Sequence, residues 1–232
     1  ALEHQLDFFN PRDQEGFLRS LMIRNTKGGD FMVLIQFFRE NKVQREALMD
    51  HLKKHFDIAS LLYCINSKAN DSLYDQEIIC YDGKTYIVEE MEGLQFKINA
   101  KSFFQTNSEQ AYELYKIARD FAGLKGDELV YDLYTGTGTI AQFIAKDCKK
   151  VVGVESVPEA IEAAQTNAKE NGINNAFFEV GDMRDVFNQD FINRHGKADV
   201  VITDPPRNGM HPAVVKQLLL LEPKRIVYVS CN

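Results

Sequence analysis

Residues 128–138, ELVYDLYTGTG, constrain this chain more than any other stretch. Leu129, Val130 and Tyr131 read as a short apolar strand. It runs through Asp132 into a loop where Gly136 and Gly138 can take backbone angles closed to other residues. A helix-compatible apolar pattern restarts over 140–145, so the loop joins a strand to a helix N-terminus. Such a turn lets a ligand approach bare backbone N–H groups, and the spacing Gly136-x-Gly138-x-x-Ala141 fits the Gly/Ala form of the dinucleotide fingerprint. By itself the loop does not choose between a nicotinamide dinucleotide and S-adenosylmethionine.

The pattern then repeats. Apolar residues 151–154 lead into Glu155, and a helix opened by Pro158 is expected to stop near Asn171-Gly172. Residues 176–180 end on Gly181-Asp182, 199–203 on Asp204-Pro205-Pro206-Arg207, and 225–230 on Cys231-Asn232. Strand alternating with helix predicts an α/β, Rossmann-like, doubly wound parallel sheet. In such a sheet ligands bind beyond the carboxyl ends of the strands. The polar or glycine-rich clusters that close each strand are therefore expected to converge.

The first part has a different texture. Residues 17–25 and 31–38 are strand-like around a Lys27-Gly28-Gly29-Asp30 turn, and Val43, Ala47, Leu48, Leu52 and Phe56 recur at helical spacing. Further strands are expected over 61–65, 77–81, 85–88 (after an Asp82-Gly83 turn) and 94–98, giving an α+β region with antiparallel pairing. Arg12, Arg19, Arg24, Arg39 and Lys68 look exposed there, as a solvated face or an RNA surface. After Lys101 comes SFFQTN, in which Asn107 is placed to cap a helix over 108–122 that ends at Gly123. Of Phe103 and Phe104, one is expected in the core.

Composition narrows the classes. The net charge of −7 excludes an all-over basic coat but not a local nucleic-acid site. The 232 residues contain no run long and apolar enough for a membrane helix. Cys64, Cys80, Cys148 and Cys231 lie far apart, so neither a disulfide framework nor a zinc or iron–sulfur site is expected, and reduced thiols point to the cytoplasm.

Individual residues carry alternatives. Glu155, 19 positions after Gly136, suits the ribose hydroxyls of a nucleoside cofactor. Asp182 is either turn chemistry or an acceptor for an adenine amino group. Asp132 either braces the loop amides, the favoured role, or neighbours the charged end of the cofactor. In the DPPR stretch two prolines hold the Asp204 carboxylate rigidly at the sheet rim, facing a base N–H or orienting substrate. Cys231, between Ser230 and Asn232 at a strand end, is an inert buried thiol or a thiolate nucleophile, and the convergence of strand ends favours the nucleophile.

The set SFFQTN (102–107), DLYTGTGTIA (132–141), GVE (153–155), GD (181–182), DPPR (204–207) and YVSCN (228–232) closely resembles the RNA uracil-C5 methyltransferases that modify transfer RNA or 23S ribosomal RNA. The resemblance spans 102–232, with a looser match before it. It implies a class I methyltransferase sheet over 101–232, incomplete at its C-terminus, preceded by a smaller α+β RNA-binding region over 1–100. It implies S-adenosylmethionine as cofactor and RNA as partner, ribosomal ahead of transfer RNA. Gln105, Tyr134, Gly136, Gly138, Thr139, Glu155, Asp182 and Asp204 would then serve the cofactor. Phe103, Gln105, Asp204 and Arg207 would serve the substrate, and Cys231 would be the nucleophile. Thr139 departs from the asparagine common at its position.

Covalent catalysis explains why such chemistry needs a thiol. Uracil C5 is a poor nucleophile until a thiolate adds at C6 and turns C4–C5 into an enolate, which donors near the pyrimidine oxygens stabilise. The family's glutamate base is expected after Asn232, so the chain is expected to be a fragment that binds cofactor without efficient turnover. Three other readings use parts of the same pattern: an NAD-dependent oxidoreductase, an amino-group methyltransferase with an Asp-Pro-Pro turn, and a non-catalytic RNA- or cofactor-binding module. The first calls for neither DPPR nor SCN, and Arg207 and Cys231 speak against the second.

Overall fold

The structure, a computed structural model, describes residues 5–230. The described residues divide into two compact units, the first formed by residues 5–89 and 97–101, the second by 90–96 and 102–230.

In the first unit, β1 (Leu18–Asn25), β2 (Phe31–Phe37), β3 (Ser60–Ile65) and β4 (Ile79–Gly83) form a sheet in that order. Helix α1 (Lys42–His55) joins β2 to β3, and its Asn41 cap accepts from the Gln44 amide. Leu48 and Met49 of α1 pack against Val33, Ile35, Phe37, Leu61 and Tyr63. The expected antiparallel pairing holds for β1–β2 and β3–β4, but β2 and β3 run parallel. A helix long enough to cross the sheet returns the chain in the same direction, which short loops cannot do. The Asp82-Gly83 turn is also corrected. Both residues stay paired with β3, and the chain leaves the ladder only at Lys84. Three of the basic side chains are engaged within this unit. Arg19 donates to the Asn66 and Lys68 carbonyls, Arg39 pairs with Asp7, and Lys68 pairs with Asp75.

Strands β5 (Tyr86–Met91) and β6 (Leu94–Asn99) form a two-stranded sheet of their own. Glu92 and Gly93 turn between them with φ of 50° and 80°, the left-handed pair that suits the twist of a tight hairpin. The tip belongs to the second unit, where Met91 and Phe96 enter the core.

That unit continues with α2 (Ser108–Ala122), β7 (Leu129–Leu133), α3 (Thr139–Ile144), a single 3₁₀ turn, β8 (Lys150–Glu155), α4 (Pro158–Glu170), β9 (Ala176–Val180), α5 (Met183–Val186), α6 (Gln189–His195), β10 (Val200–Thr203), α7 (Pro212–Leu221) and β11 (Arg225–Tyr228). The strands are all parallel, in the order β11-β10-β7-β8-β9. Alternation along each strand builds two cores. Val130, Val151, Val200, Ile202 and Val227 face α2 and α3, while Tyr131, Leu133, Val152, Val154 and Val201 face α5, α6 and α7. The sheet is therefore doubly wound. Asn107 caps α2 through the Gln110 amide, and Gly123 ends it at φ 57°. Phe104 packs on Phe96, whereas Phe103 is 71% exposed. Chain direction reverses its lateral progress between β7 and β10, and a crevice for ligands opens at such a switch point.

Among the described residues no helix is long and apolar enough to cross a membrane, and no three His, Cys, Asp or Glu side chains are grouped to hold a metal ion.

Candidate active site at the carboxyl rim of the parallel sheet

Four strands deliver residues to one cavity of about 500 Å³. Tyr134 follows β7, Glu155 and Ser156 close β8, Asp182, Met183 and Arg184 follow β9, and Asp204, Pro206, Gly209 and His211 follow β10. Its size falls within the range usual for sites that bury a small molecule.

The loop after β7 is shaped by one buried carboxylate. Asp132, 1% exposed, accepts from the Thr135 hydroxyl at 2.5 Å and from the Ala141 amide at 3.1 Å, both through Oδ2. This joins the end of β7 to the first turn of α3 and supports the bracing role. Oδ1 has no hydrogen-bond partner among the described residues. Burial pushes the Asp132 carboxyl up to about 7, a rise that the Thr135 hydroxyl opposes and the charge of Asp204 reinforces.

Around that brace the backbone enters left-handed angles. Tyr134 has φ 64°, costly for a side chain with a Cβ, followed by Gly136 at 55° and Gly138 at 74°. The two glycines serve different ends. A Cβ on Gly136 would meet nothing within 4 Å, whereas one on Gly138 would lie 2.7 Å from the Phe178 ring and 2.8 Å from the Ala164 Cβ. Gly136 leaves space at the loop surface, and Gly138 lets α3 approach the sheet and α4.

Glu155 is held from both sides. Its Oε1 accepts from the Ser156 amide and hydroxyl and the Val157 amide, and its Oε2 accepts from the Gly136 amide at 3.2 Å. Oε2 retains acceptor capacity toward the cavity, since a carboxylate offers about four lone-pair sites. Asp182 caps α5 through the Arg184 amide and also takes the Arg184 guanidinium on both oxygens. That hydrogen-bonded pairing holds its carboxyl down at about 2. Asp204 is half-buried, and desolvation raises its pKa.

Of the residues expected to serve a cofactor or substrate, Tyr134, Glu155, Asp182 and Asp204 thus share one cavity. Gly136 touches it through Glu155. Gly138 is buried under Phe178, and Thr139 is 6% exposed with its Oγ1 3.3 Å from that of Thr137, so neither lines it. Nor do Phe103, the half-buried Gln105 or the exposed Arg207. Cys231 lies outside the described residues. Sequence reasoning missed Ser156, Met183, Arg184, Gly209 and His211. A signal existed only for His211, which stands just before a proline that opens an apolar helix.

The ring of acceptors fits a nucleoside with a cationic tail: hydroxyl and amino groups find carboxylates, and the cavity carboxylates Glu155 and Asp204 favour positive charge nearby. A parallel sheet of this order, wound on both faces, is the Rossmann-like arrangement that class I methyltransferases use.

Residues 124–227 match a model described as a methyltransferase domain, and S-adenosylmethionine is the cofactor of this unit. A Porphyromonas gingivalis protein named "Uncharacterized RNA methyltransferase" is 60% identical over 226 residues, covering 97% of this chain and 49% of that protein. One of the same name from Bacteroides thetaiotaomicron is 55% identical over 236 residues, covering 100% and 52%. Among solved structures, the Pyrococcus abyssi tRNA (uracil-54, C5)-methyltransferase in complex with S-adenosyl-L-homocysteine is similar with a TM-score of 0.81 and 35% identity, covering 100% of this chain and 54% of that one. The chain spans about half the length of the relatives it matches.

Proposed function

We propose that this chain belongs to an enzyme that methylates C5 of uracil in RNA through a covalent adduct between Cys231 and C6 of the base. The reading rests on the match to the Pyrococcus abyssi enzyme over the whole chain, a coverage that takes in both units. The SFFQTN, DPPR and SCN stretches agree with it.

Bound S-adenosylmethionine supplies an electrophilic methyl group. Glu155, which lines the cavity, would accept from the cofactor's ribose hydroxyls through Oε2, and Asp182 would accept from its adenine amino group. The Cys231 thiolate would add to C6, leaving an enolate whose C5 carbon displaces the methyl group from the sulfonium, so that S-adenosylhomocysteine leaves, and loss of the C5 proton to a base would free the thiolate by β-elimination. Asp204, fixed by Pro205 and Pro206, accepts from a base N–H. Phe103, already exposed, stacks on a uracil taken out of its helix or loop, with Gln105 on the base edge and Arg207 near the RNA backbone.

The test uses ribosomal and transfer RNA transcripts carrying 5-fluorouridine. Fluorine at C5 cannot leave as a proton does, so the adduct persists after methyl transfer. The expected result is a denaturation-resistant protein–RNA complex that requires S-adenosylmethionine and vanishes in Cys231→Ser, which still binds the cofactor. Reversible binding alone by the unsubstituted protein would show a binding module instead.

A further inference from the structure

Asp182 and His211 are the N-caps of two helices, α5 and α7, that pack against one another. Each uses a polar atom to cap its own helix. Asp182 Oδ1 accepts from the Arg184 amide, and His211 Nδ1 accepts from the Ala213 amide at 3.2 Å. Both residues line the cavity, and they are near enough for the histidine to act electrostatically on the aspartate.

The cap fixes the chemistry of the ring. A neutral imidazole whose Nδ1 accepts a hydrogen bond must carry its proton on Nε2. His211 therefore presents a donor at Nε2, and no other described residue takes that proton. Asp182, braced by Arg184, presents an acceptor with a lone pair to spare on Oδ2. One wall of the cavity thus offers an acceptor beside a donor.

We infer that His211 determines which nucleobase the cofactor site accepts, pairing its Nε2–H with a ring nitrogen of adenine while Asp182 takes the exocyclic amine. This rests on the cofactor assignment of the proposed function. Adenine shows an amino donor next to a ring-nitrogen acceptor, the complement of this wall. Hypoxanthine shows an oxygen acceptor next to a ring N–H donor, so it sets oxygen against carboxylate and N–H against N–H, mismatches that weaken binding even at a wall that is part exposed without ligand.

The experiment measures binding of S-adenosylhomocysteine and S-inosylhomocysteine by titration calorimetry in the unsubstituted protein, His211→Asn and His211→Ala. Asparagine is as good an N-cap as any residue, so His211→Asn keeps the helix start and spends its side chain there. The unsubstituted protein is expected to prefer the adenosyl ligand by on the order of 100-fold, the two mismatched polar pairs being partly relieved by water. His211→Asn is expected to melt at the unsubstituted temperature, to bind the adenosyl ligand roughly 5-fold more weakly and to keep only the roughly 10-fold preference that Asp182 gives by itself. His211→Ala shows the same reduced preference and loses some stability as well. An undiminished preference in His211→Asn overturns the inference while leaving the cofactor assignment intact. Failure of the unsubstituted protein to bind either ligand overturns both.

Discussion

The Glu155 carboxylate accepts the Gly136 amide at 3.2 Å, so the end of β8 and the glycine turn after β7 share one acceptor. The glycine loop therefore does not stand alone as a cradle. Its open backbone is registered against the residue expected to hold the ribose, and the same side chain ties down the start of α4 through the Ser156 and Val157 amides.

Replacing that carboxylate separates binding from folding. Glu155→Gln keeps the shape but weakens hydrogen bonds that gain from charge, which contribute about 1.5–3 kcal/mol each. S-adenosylmethionine affinity is expected to fall by roughly 10- to 100-fold in calorimetry, with circular dichroism unchanged. Unaltered affinity would place the ribose elsewhere.

Asp132 predicts a pH dependence. Its folded carboxyl titrates near 7, above the unfolded value, because burial penalises the charge. The folded state then holds the proton more tightly between about pH 4 and pH 7, so the stability linked to this group is full at the acid end of that window and is lost as pH rises through 7. Asp132→Asn removes the titration. Denaturation measured from pH 5 to 8 should decline by a few kcal/mol in the parent and much less in the variant. Parallel curves would contradict this.

Two glycine substitutions should behave differently. Gly138→Ala forces a methyl group into the Phe178 ring and the Ala164 Cβ at a left-handed angle, and is expected to cost about 3 kcal/mol or more in chemical denaturation. Gly136→Ala meets open space, so only the backbone strain of about 1 kcal/mol applies. Its larger effect should appear in cofactor affinity.

The hairpin tip offers a fourth measurement. Glu92 accepts both Arg119 nitrogens, the Lys146 ammonium and the Tyr112 hydroxyl, and these bonds hold its carboxyl down at about 2. Gln95 and Asn171 exchange a second pair of bonds. A depressed carboxyl adds stability above its unfolded pKa that is lost as pH falls through the folded one, here from about 4.5 toward 2. Glu92→Gln should cost about 1 kcal/mol at neutral pH and raise amide exchange at Met91 and Leu94. Unchanged exchange would mean that Phe96 and Met91 hold the tip by apolar packing alone.

Local pattern made much of this protein legible. Apolar runs closed by polar or glycine-rich clusters marked each strand of the parallel sheet, and Asn107, Gly123 and Pro158 marked helix ends, because caps and turns are decided by neighbours in the chain. The alternation of strand with helix was enough for the doubly wound sheet. The parallel step from β2 to β3 was not legible, since an intervening helix permits either direction until the partner strand is placed. Nor was the split between Gly136 and Gly138, which depends on Phe178 and Ala164 arriving from elsewhere.

The cavity shows the same division. Its carboxylates Glu155, Asp182 and Asp204 could be read in sequence because each closes a strand, and parallel strands bring their carboxyl ends to one rim. Arg184 bracing Asp182 is a local contact two residues along the chain, but His211 set beside Asp182 came only with tertiary structure. Its place depends on α5 packing against α7, an encounter between segments whose side chains carry no mark of each other along the chain.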